Sequence, residues 1–248
     1  MNLAVDIGNT NVKIGVFEQN EIKSIQIFDK TNQNEIIKYF ETIQDNTIKS
    51  AIICSVIDID KKFIDLLECR FKVIIFNSST TIPIKNLYRS QNSLGPDRLA
   101  SVIGARLIFN KGNILTINAG TCITYDFLNK NNEYLGGGIS PGLTMRFKAL
   151  NTFTGKLPLL ETIEETNLIG RNTVDSIKSG VINGVIAEID TIIEKYKWLY
   201  PNISVVISGG GSDFLVNRLK NSIFAAPYLV LQGLNEVVNY NLNLFPEK

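Results

Sequence analysis

The chain has 248 residues, 44% of them hydrophobic, with 25 basic and 24 acidic side chains and a net charge of +1. That supplies a core for one large domain or two ordinary ones, while balanced charge without a basic block argues against a nucleic-acid partner and no apolar run reaches the roughly 18 residues of a membrane span. Histidine is absent, which excludes an imidazole base, a Ser-His-Asp triad and a His-ligated metal and leaves acid–base work to carboxylates, Lys, Tyr or Cys.

Residues 3–17 read as an apolar strand, a small-residue turn and a second alternating strand, and 21–28 add a third strand to the meander. Apolar residues at helical spacing follow over 34–43, then a buried strand at 50–55, a helix over 61–70 and a strand at 73–76. Residues 77–95, polar and interrupted by Pro83, predict a long loop. A helix over 98–109 ends at the turn Lys111-Gly112-Asn113. Residues 115–128 repeat the strand–turn–strand pattern, with a hairpin turn at 129–133, a glycine-rich loop at 136–142 and the start of a helix over 143–150.

The longest helical signal covers 173–196, where Val174, Ile177, Val181, Val185, Ile189 and Ile192 form one apolar face behind Asn172 as N-cap. Gly180 and Gly184 on this helix each cost about 1 kcal/mol relative to Ala. Close helix packing would offset that cost, either inside the chain or across a dimer interface. A strand at 203–207 runs into Ser208-Gly-Gly-Gly-Ser212, and a short helix covers 213–219.

Aligning Asp6 on Asn118 places Gly8 on Gly120, an offset of 112 residues. Two strand–turn–strand units, each opening about half the chain, point to an α/β fold made of duplicated halves, 1–112 and 113–248. Cys54, Cys69 and Cys122 form no CxxC pair, so neither a zinc site nor a disulfide framework is indicated. Cys54, in an apolar run, reads as a small buried hydrophobe. Reduced thiols fit a cytoplasmic location, and Asp6 interrupts the first apolar stretch before it resembles a signal peptide.

The turn Asp6-Ile-Gly-Asn-Thr10 sets a carboxylate at a strand end beside a glycine that lets a ligand approach the backbone. Converging amide and hydroxyl donors suit a phosphate, and Asp6 would hold a divalent cation through oxygen. An ordinary type I′ hairpin turn favours the same residues. Asn118-Ala-Gly-Thr-Cys122 repeats the chemistry with Thr121 as hydroxyl donor, and two such loops facing each other would grip a polyphosphate with Mg²⁺, as phosphoryl transfer needs. Ser208–Ser212 reads either as a bed for a flat ring or as a plain connector. Asp97, in Leu-Gly-Pro-Asp-Arg before a helix, reads either as that helix's N-cap or as a base that takes a hydroxyl proton, with Arg98 holding an anionic group on the substrate.

Asp-Ile-Gly-Asn-Thr at 6–10, Gly-Pro-Asp-Arg at 95–98, Asn-Ala-Gly-Thr at 118–121, Gly-Gly-Gly-Ile-Ser-Pro-Gly at 136–142, Thr-Gly-Lys-Leu-Pro at 154–158 and Asn-Thr at 172–173 occur in this order. Together they resemble the type III pantothenate kinases of the acetate and sugar kinase/Hsp70/actin superfamily, over residues 3–212. The resemblance implies duplicated ribonuclease H-like (actin-like ATPase) domains with a nucleotide cleft between them, and ATP-dependent phosphorylation of pantothenate. Asp6, Ile7, Gly8, Asn9, Thr10, Asn11, Val12, Lys13 and Thr121 match its ATP-binding positions. Asp97 matches its general base, and Tyr88, Gly95, Pro96, Asp97, Arg98 and Thr173 its pantothenate site. Thr173 would present its hydroxyl and a helix N-terminus to the substrate carboxylate. The resemblance further implies Mg²⁺ at Asp6 through the phosphates, activation by K⁺ or NH₄⁺, a homodimer and a cytoplasmic location.

One position departs from the pattern: the family usually has Asp where this chain has Asn118, the monovalent-cation position. Asn keeps an oxygen ligand but loses the charge, so either K⁺ binds more weakly or the neighbouring Asp126 compensates. Two other readings remain in view. A nonenzymatic relative would be favoured by loss of Asp97 or Arg98, and both are present. A kinase of the superfamily acting on a sugar would have no need of Arg98 for a carboxylate.

Overall fold

The computed structural model describes residues 1–43, 47–59, 61–160 and 166–244. In chain order these form β1 (Asn2–Ile7), β2 (Asn11–Glu18), β3 (Glu21–Asp29), α1 (Gln33–Thr42), β4 (Ser50–Ser55), α2 (Lys61–Glu68), β5 (Lys72–Ile75), β6 (Lys85–Asn86), α3 (Pro96–Ile108), β7 (Ile114–Ala119), β8 (Cys122–Leu128), β9 (Glu133–Pro141), α4 (Leu143–Thr152), α5 (Thr173–Leu199), β10 (Ser204–Ser208), α6 (Ser212–Val216), β11 (Phe224–Ala225) and α7 (Leu229–Leu244).

One sheet has the order β3-β2-β1-β4-β5 and the other β11-β10-β7-β8-β9-β6. β1 pairs antiparallel with β2 and parallel with β4, and β7 pairs parallel with β10. Leaving β6 aside, the two orders are one topology used twice. β1 and β7 start and end 112 residues apart, as do β3 and β9. β1 and β7 also share one burial pattern, in which Asp6 and Asn118 are the half-buried positions of otherwise buried strands.

Contacts divide the chain into unit 1 (Met1–Lys111, Leu128–Leu135 and Tyr228–Lys248) and unit 2 (Gly112–Phe127 and Gly136–Pro227). The units therefore do not follow the chain halves 1–112 and 113–248, because two later segments return to unit 1. For α7 the reason is a buried amide network. Asn2 on β1 donates to Oδ1 of Asn235 (3.0 Å) and of Asn239 (2.7 Å), and Asn235 donates to the Gln19 carbonyl (2.7 Å). Buried amides that find each other satisfy their hydrogen-bonding needs only in one register, which fixes the helix on the strand.

Each unit has its own core. Leu3, Val5, Ile14, Phe40 and Ile53 are fully buried in unit 1, and Leu115, Ile117, Val185, Ile189 and Ile193 in unit 2. Burial of such side chains contributes about 1.5–3 kcal/mol each. On α5 the predicted apolar face is buried at Ile177, Val181, Val185 and Ile189, whereas Val174 at the helix start is exposed and Ile192 is half-buried beside the buried Ile193; Asn172 caps the helix by accepting from the Asp175 N–H at 2.9 Å.

Four local expectations change. The 136–142 segment is strand rather than loop, lying in β9 up to Pro141. A Cβ on Gly137 would sit 1.6 Å from the Tyr125 carbonyl oxygen, so glycine there serves backbone approach to β8. The 77–95 loop contains the short strand β6 and one 3₁₀ turn at Gln91–Ser93. α3 starts at Pro96, which suits the first helical turn because its missing N–H needs no partner there. Gly180 and Gly184 are exposed, and among the described residues a Cβ on either would meet nothing within 4 Å, so no described part of the chain packs closely on them.

Candidate active site

In unit 1 the site begins at the carboxyl end of β1. Asp6 lies in register with Lys13 on β2 and with Cys54 on β4, so the three side chains share one face of the sheet. Asp97 stands close enough that its charge acts on Asp6. Burial, then the Asp97 charge, push the Asp6 carboxyl up to about 7 against an opposing pull from Lys13. Burial and the same two carboxylates hold the Cys54 thiol well above its usual range, which keeps it neutral and unreactive.

The turn after β1 is closed by Gly8 N–H donating to Asn11 O at 2.9 Å and tied back by Lys30 N–H donating to Thr10 O at 2.9 Å. A type I′ turn needs positive φ at both central residues, and neither Asn9 nor Thr10 has it. The hairpin reading of that form therefore falls. Asn9, Thr10 and Asn11 are exposed, whereas Ile7 and Val12 are buried core residues, so any ligand contact of those two is through the backbone.

Asp97 is the second residue of α3, and the N-cap position belongs to Gly95. The capping role for Asp97 is thus not the one it plays. A Cβ on Gly95 would lie 2.6 Å from Asp97 Oδ1, so glycine at 95 makes room for the carboxylate. The next residue, Arg98, is buried, with its guanidinium carbon 5.7 Å from the centre of the Tyr88 ring. Tyr88 is in turn 6.1 Å from the Tyr134 ring, and its N–H donates to Asn86 Oδ1 at 3.0 Å. A cation held over aromatic faces beside a carboxylate can take an anionic group while the carboxylate takes a proton.

Unit 2 builds its own turn from three segments that looked independent in the sequence. Gly120 N–H donates to Cys122 O at 2.9 Å, and Gly142 N–H, at the N-cap of α4, donates to Thr121 O at 3.0 Å. A Cβ on Gly142 would fall 2.3 Å from the Gly120 carbonyl oxygen. Gly209 has φ +93°, and a Cβ there would lie 2.5 Å from both Asn118 Oδ1 and the Ala119 oxygen, while Gly211 N–H donates to Ala119 O at 2.9 Å. The segments around 118–121, 142 and 209–211 therefore meet backbone to backbone. Thr121 is exposed in this turn, and Thr173 is exposed at the first residue of α5.

The structure brings Asp6, Lys13 and Asp97 together in unit 1, and likewise Tyr88 and Arg98, whereas Asn118, Thr121 and Thr173 are carried by unit 2. Among the described residues no three His, Cys, Asp or Glu side chains are grouped to hold a metal. A buried carboxylate at a strand end suits an oxygen-seeking ion, and such an ion on Asp6 would draw its remaining ligands from phosphate and water, as Mg²⁺ does. Sequence reasoning missed Cys54 beside Asp6, and Tyr134. Strand register was the missing signal for the first, since Cys54 and Asp6 are remote in sequence.

The model of the family described as type III pantothenate kinase matches residues 2–195. The chain belongs to this family. A relative named type III pantothenate kinase from Flavobacterium johnsoniae is 39% identical over 245 residues, covering 98% of this chain and 99% of its own. Among solved structures, a Baf family transcriptional activator from Campylobacter jejuni superposes with TM-score 0.64 at 20% identity, covering 97% of this chain and 99% of its own. The activator of 2-hydroxyisocaproyl-CoA dehydratase from Clostridium difficile, solved with ADPNP, gives 0.56 at 12% identity, covering 100% and 98%. At such identities these structures show the shared fold alone, duplicated ribonuclease H-like units.

Proposed function

We propose that this protein transfers the γ-phosphoryl group of ATP to the primary hydroxyl of pantothenate, giving 4′-phosphopantothenate, the first step of coenzyme A biosynthesis. The observation that carries the reading is the Asp97 carboxylate, set by Gly95 in the first turn of α3 beside Asp6 and next to the buried Arg98. Asp97 accepts the hydroxyl proton as the oxygen attacks the γ-phosphorus. The bond from that phosphorus to the bridging oxygen breaks and ADP leaves. In a loose transition state deprotonation comes late, so a carboxylate of ordinary basicity suffices.

In unit 1 the 6–13 turn offers backbone amides, the Asn9, Thr10 and Asn11 side chains and Lys13 to the phosphates; in unit 2 the exposed Thr121 hydroxyl is a donor of the same phosphate-binding kind. Arg98 and Tyr88 hold the acid, with Gly95 and Pro96 in the same segment; in unit 2, Thr173 stands at a helix start, which favours a carboxylate. Asp6 would hold Mg²⁺, which would supply positive charge to the phosphate oxygens. Asn118 would offer K⁺ or NH₄⁺ a neutral oxygen, a weaker ligand than a carboxylate. The exposed glycines of α5 support association with a second copy of the chain. No helix among the described residues is long and apolar enough to cross a membrane, and three free cysteines support a cytoplasmic site of action. The test is ADP release from ATP and Mg²⁺ with and without pantothenate. Turnover that requires pantothenate establishes the reading, and a folded, ATP-binding protein without it overturns the reading.

A further inference from the structure

β4 leaves the sheet level with the end of β1, where Val56 N–H donates to Ile7 O at 3.2 Å. Ligands of open α/β sheets bind outside the carboxyl ends of the strands. At this end the loop after β4 and the segment leading into α3 line a shallow open groove, with Val56, Ile57, Leu94 and Pro96 as apolar lining and Asp58 on the same loop. Ser55 fixes the loop by donating to Ile57 O (2.7 Å) and accepting from Ile57 N–H (3.2 Å). Val56 is nonetheless 37% exposed, an apolar side chain left uncovered at the groove.

Pro96 adjoins Asp97, so the groove begins one residue from the proposed base. In pantothenate the hydroxyl-bearing carbon is attached to a quaternary carbon with two methyl groups. With the hydroxyl at Asp97, that branched carbon is the nearest apolar part of the acceptor. The exposed Asp58 carboxylate disfavours the acid's anionic end here, while Arg98, over Tyr88, attracts it. Charge therefore orients the acceptor with its branched end toward Val56.

We infer that Val56, with Leu94 and Pro96, forms the seat for the branched carbon of the acceptor and selects a branched over an unbranched primary alcohol. This inference rests on the kinase reading above. The test compares kcat/KM for pantothenate and for its analogue in which both methyls are replaced by hydrogen. The unmodified protein should prefer pantothenate by at least about 10- to 200-fold, the range a hydrophobic pocket gives for one missing methylene-sized group, since the analogue lacks two. In Val56→Ala that preference should shrink to a few-fold with the KM for ATP unchanged, and Val56→Thr, which keeps the shape and thins the apolar contact, should fall between. A preference that is absent in the unmodified protein, or unaltered in both variants, overturns the inference. Failure of the unmodified protein to phosphorylate pantothenate instead removes the kinase reading, so the two failures are distinct.

Discussion

Gly104 on α3 and Gly233 on α7 let their helices cross at backbone contact. A Cβ on Gly104 would lie 2.2 Å from the Leu229 carbonyl oxygen, and one on Gly233 only 1.8 Å from that of Ala100. Ala100 is one turn after Asp97, so the crossing sets where the first turn of α3 stands. Gly233→Ala must push α3 away, and forced overpacking of this kind costs about 1–3 kcal/mol. Denaturant unfolding should show that loss, and kinetics should show kcat falling with it because Asp97 moves with its helix. Unchanged kcat in a destabilised variant would separate the crossing from catalysis.

Gly180 and Gly184 make the opposite case. Each is exposed on α5 with none of the described residues near a Cβ placed there, so Ala at either position should stabilise an isolated chain by about 1 kcal/mol through helix propensity alone. If two copies meet on this face, the added methyl instead weakens their association, which sedimentation at several concentrations would read as a shift toward monomer.

Asp6 carries a pH dependence of definite sign. Its carboxyl is raised from 3.8 to about 7 by burial and by Asp97, so between those values the folded chain keeps a proton that the unfolded chain has released. Stability of the ligand-free protein therefore falls as pH rises through that window. Asp6→Asn removes this contribution and should be more stable than the parent at pH 8 by roughly 1–3 kcal/mol, while losing nucleotide-dependent turnover. Thermal melts between pH 4 and 8 without Mg²⁺ or ATP would check it. A parallel pH profile in the variant would place the titration elsewhere.

Much of this was legible in the sequence because strand–turn–strand units announce themselves by alternation and by small residues at the turn. The 112-residue offset between Asp6 and Asn118 became the offset between β1 and β7. The 136–142 segment was opaque for a physical reason: glycines erase the side-chain alternation that marks a strand, and here they were placed to let backbones touch. α7 carried a usable signal in the helical spacing of Leu231, Leu234, Val237 and Val238, all buried, but its return to unit 1 depends on Asn2 and Asn235, 233 positions apart. The proximity of Asp6 to Asp97 was likewise hidden, since only the fold closes that distance.

The same proximity makes Asp97→Asn a two-part experiment. As the proposed base, Asp97 should lose about 10²–10⁴ in kcat when its proton acceptor is removed. Because its charge is part of what raises Asp6, the substitution should also move the pH-dependent loss of ligand-free stability to lower pH. A folded variant with intact turnover would exclude the base role. A variant without turnover but with the parent's stability profile would show that the two carboxylates do not act on each other.

Asn118 offers the sharpest chemical substitution, because Asp has nearly its shape. Its Oδ1 lies against Gly209, whose positive φ and lack of Cβ leave the approach open, so Asn118→Asp should be accommodated without steric change. What changes is charge. The affinity of an oxygen site for a cation rises with the charge of its ligands, and one added carboxylate should lower the half-activating K⁺ concentration about tenfold, close to 1.4 kcal/mol. Initial rates of ADP release across a KCl series, in parent and variant, give that number directly. A curve that does not shift would show that no monovalent cation rests on residue 118.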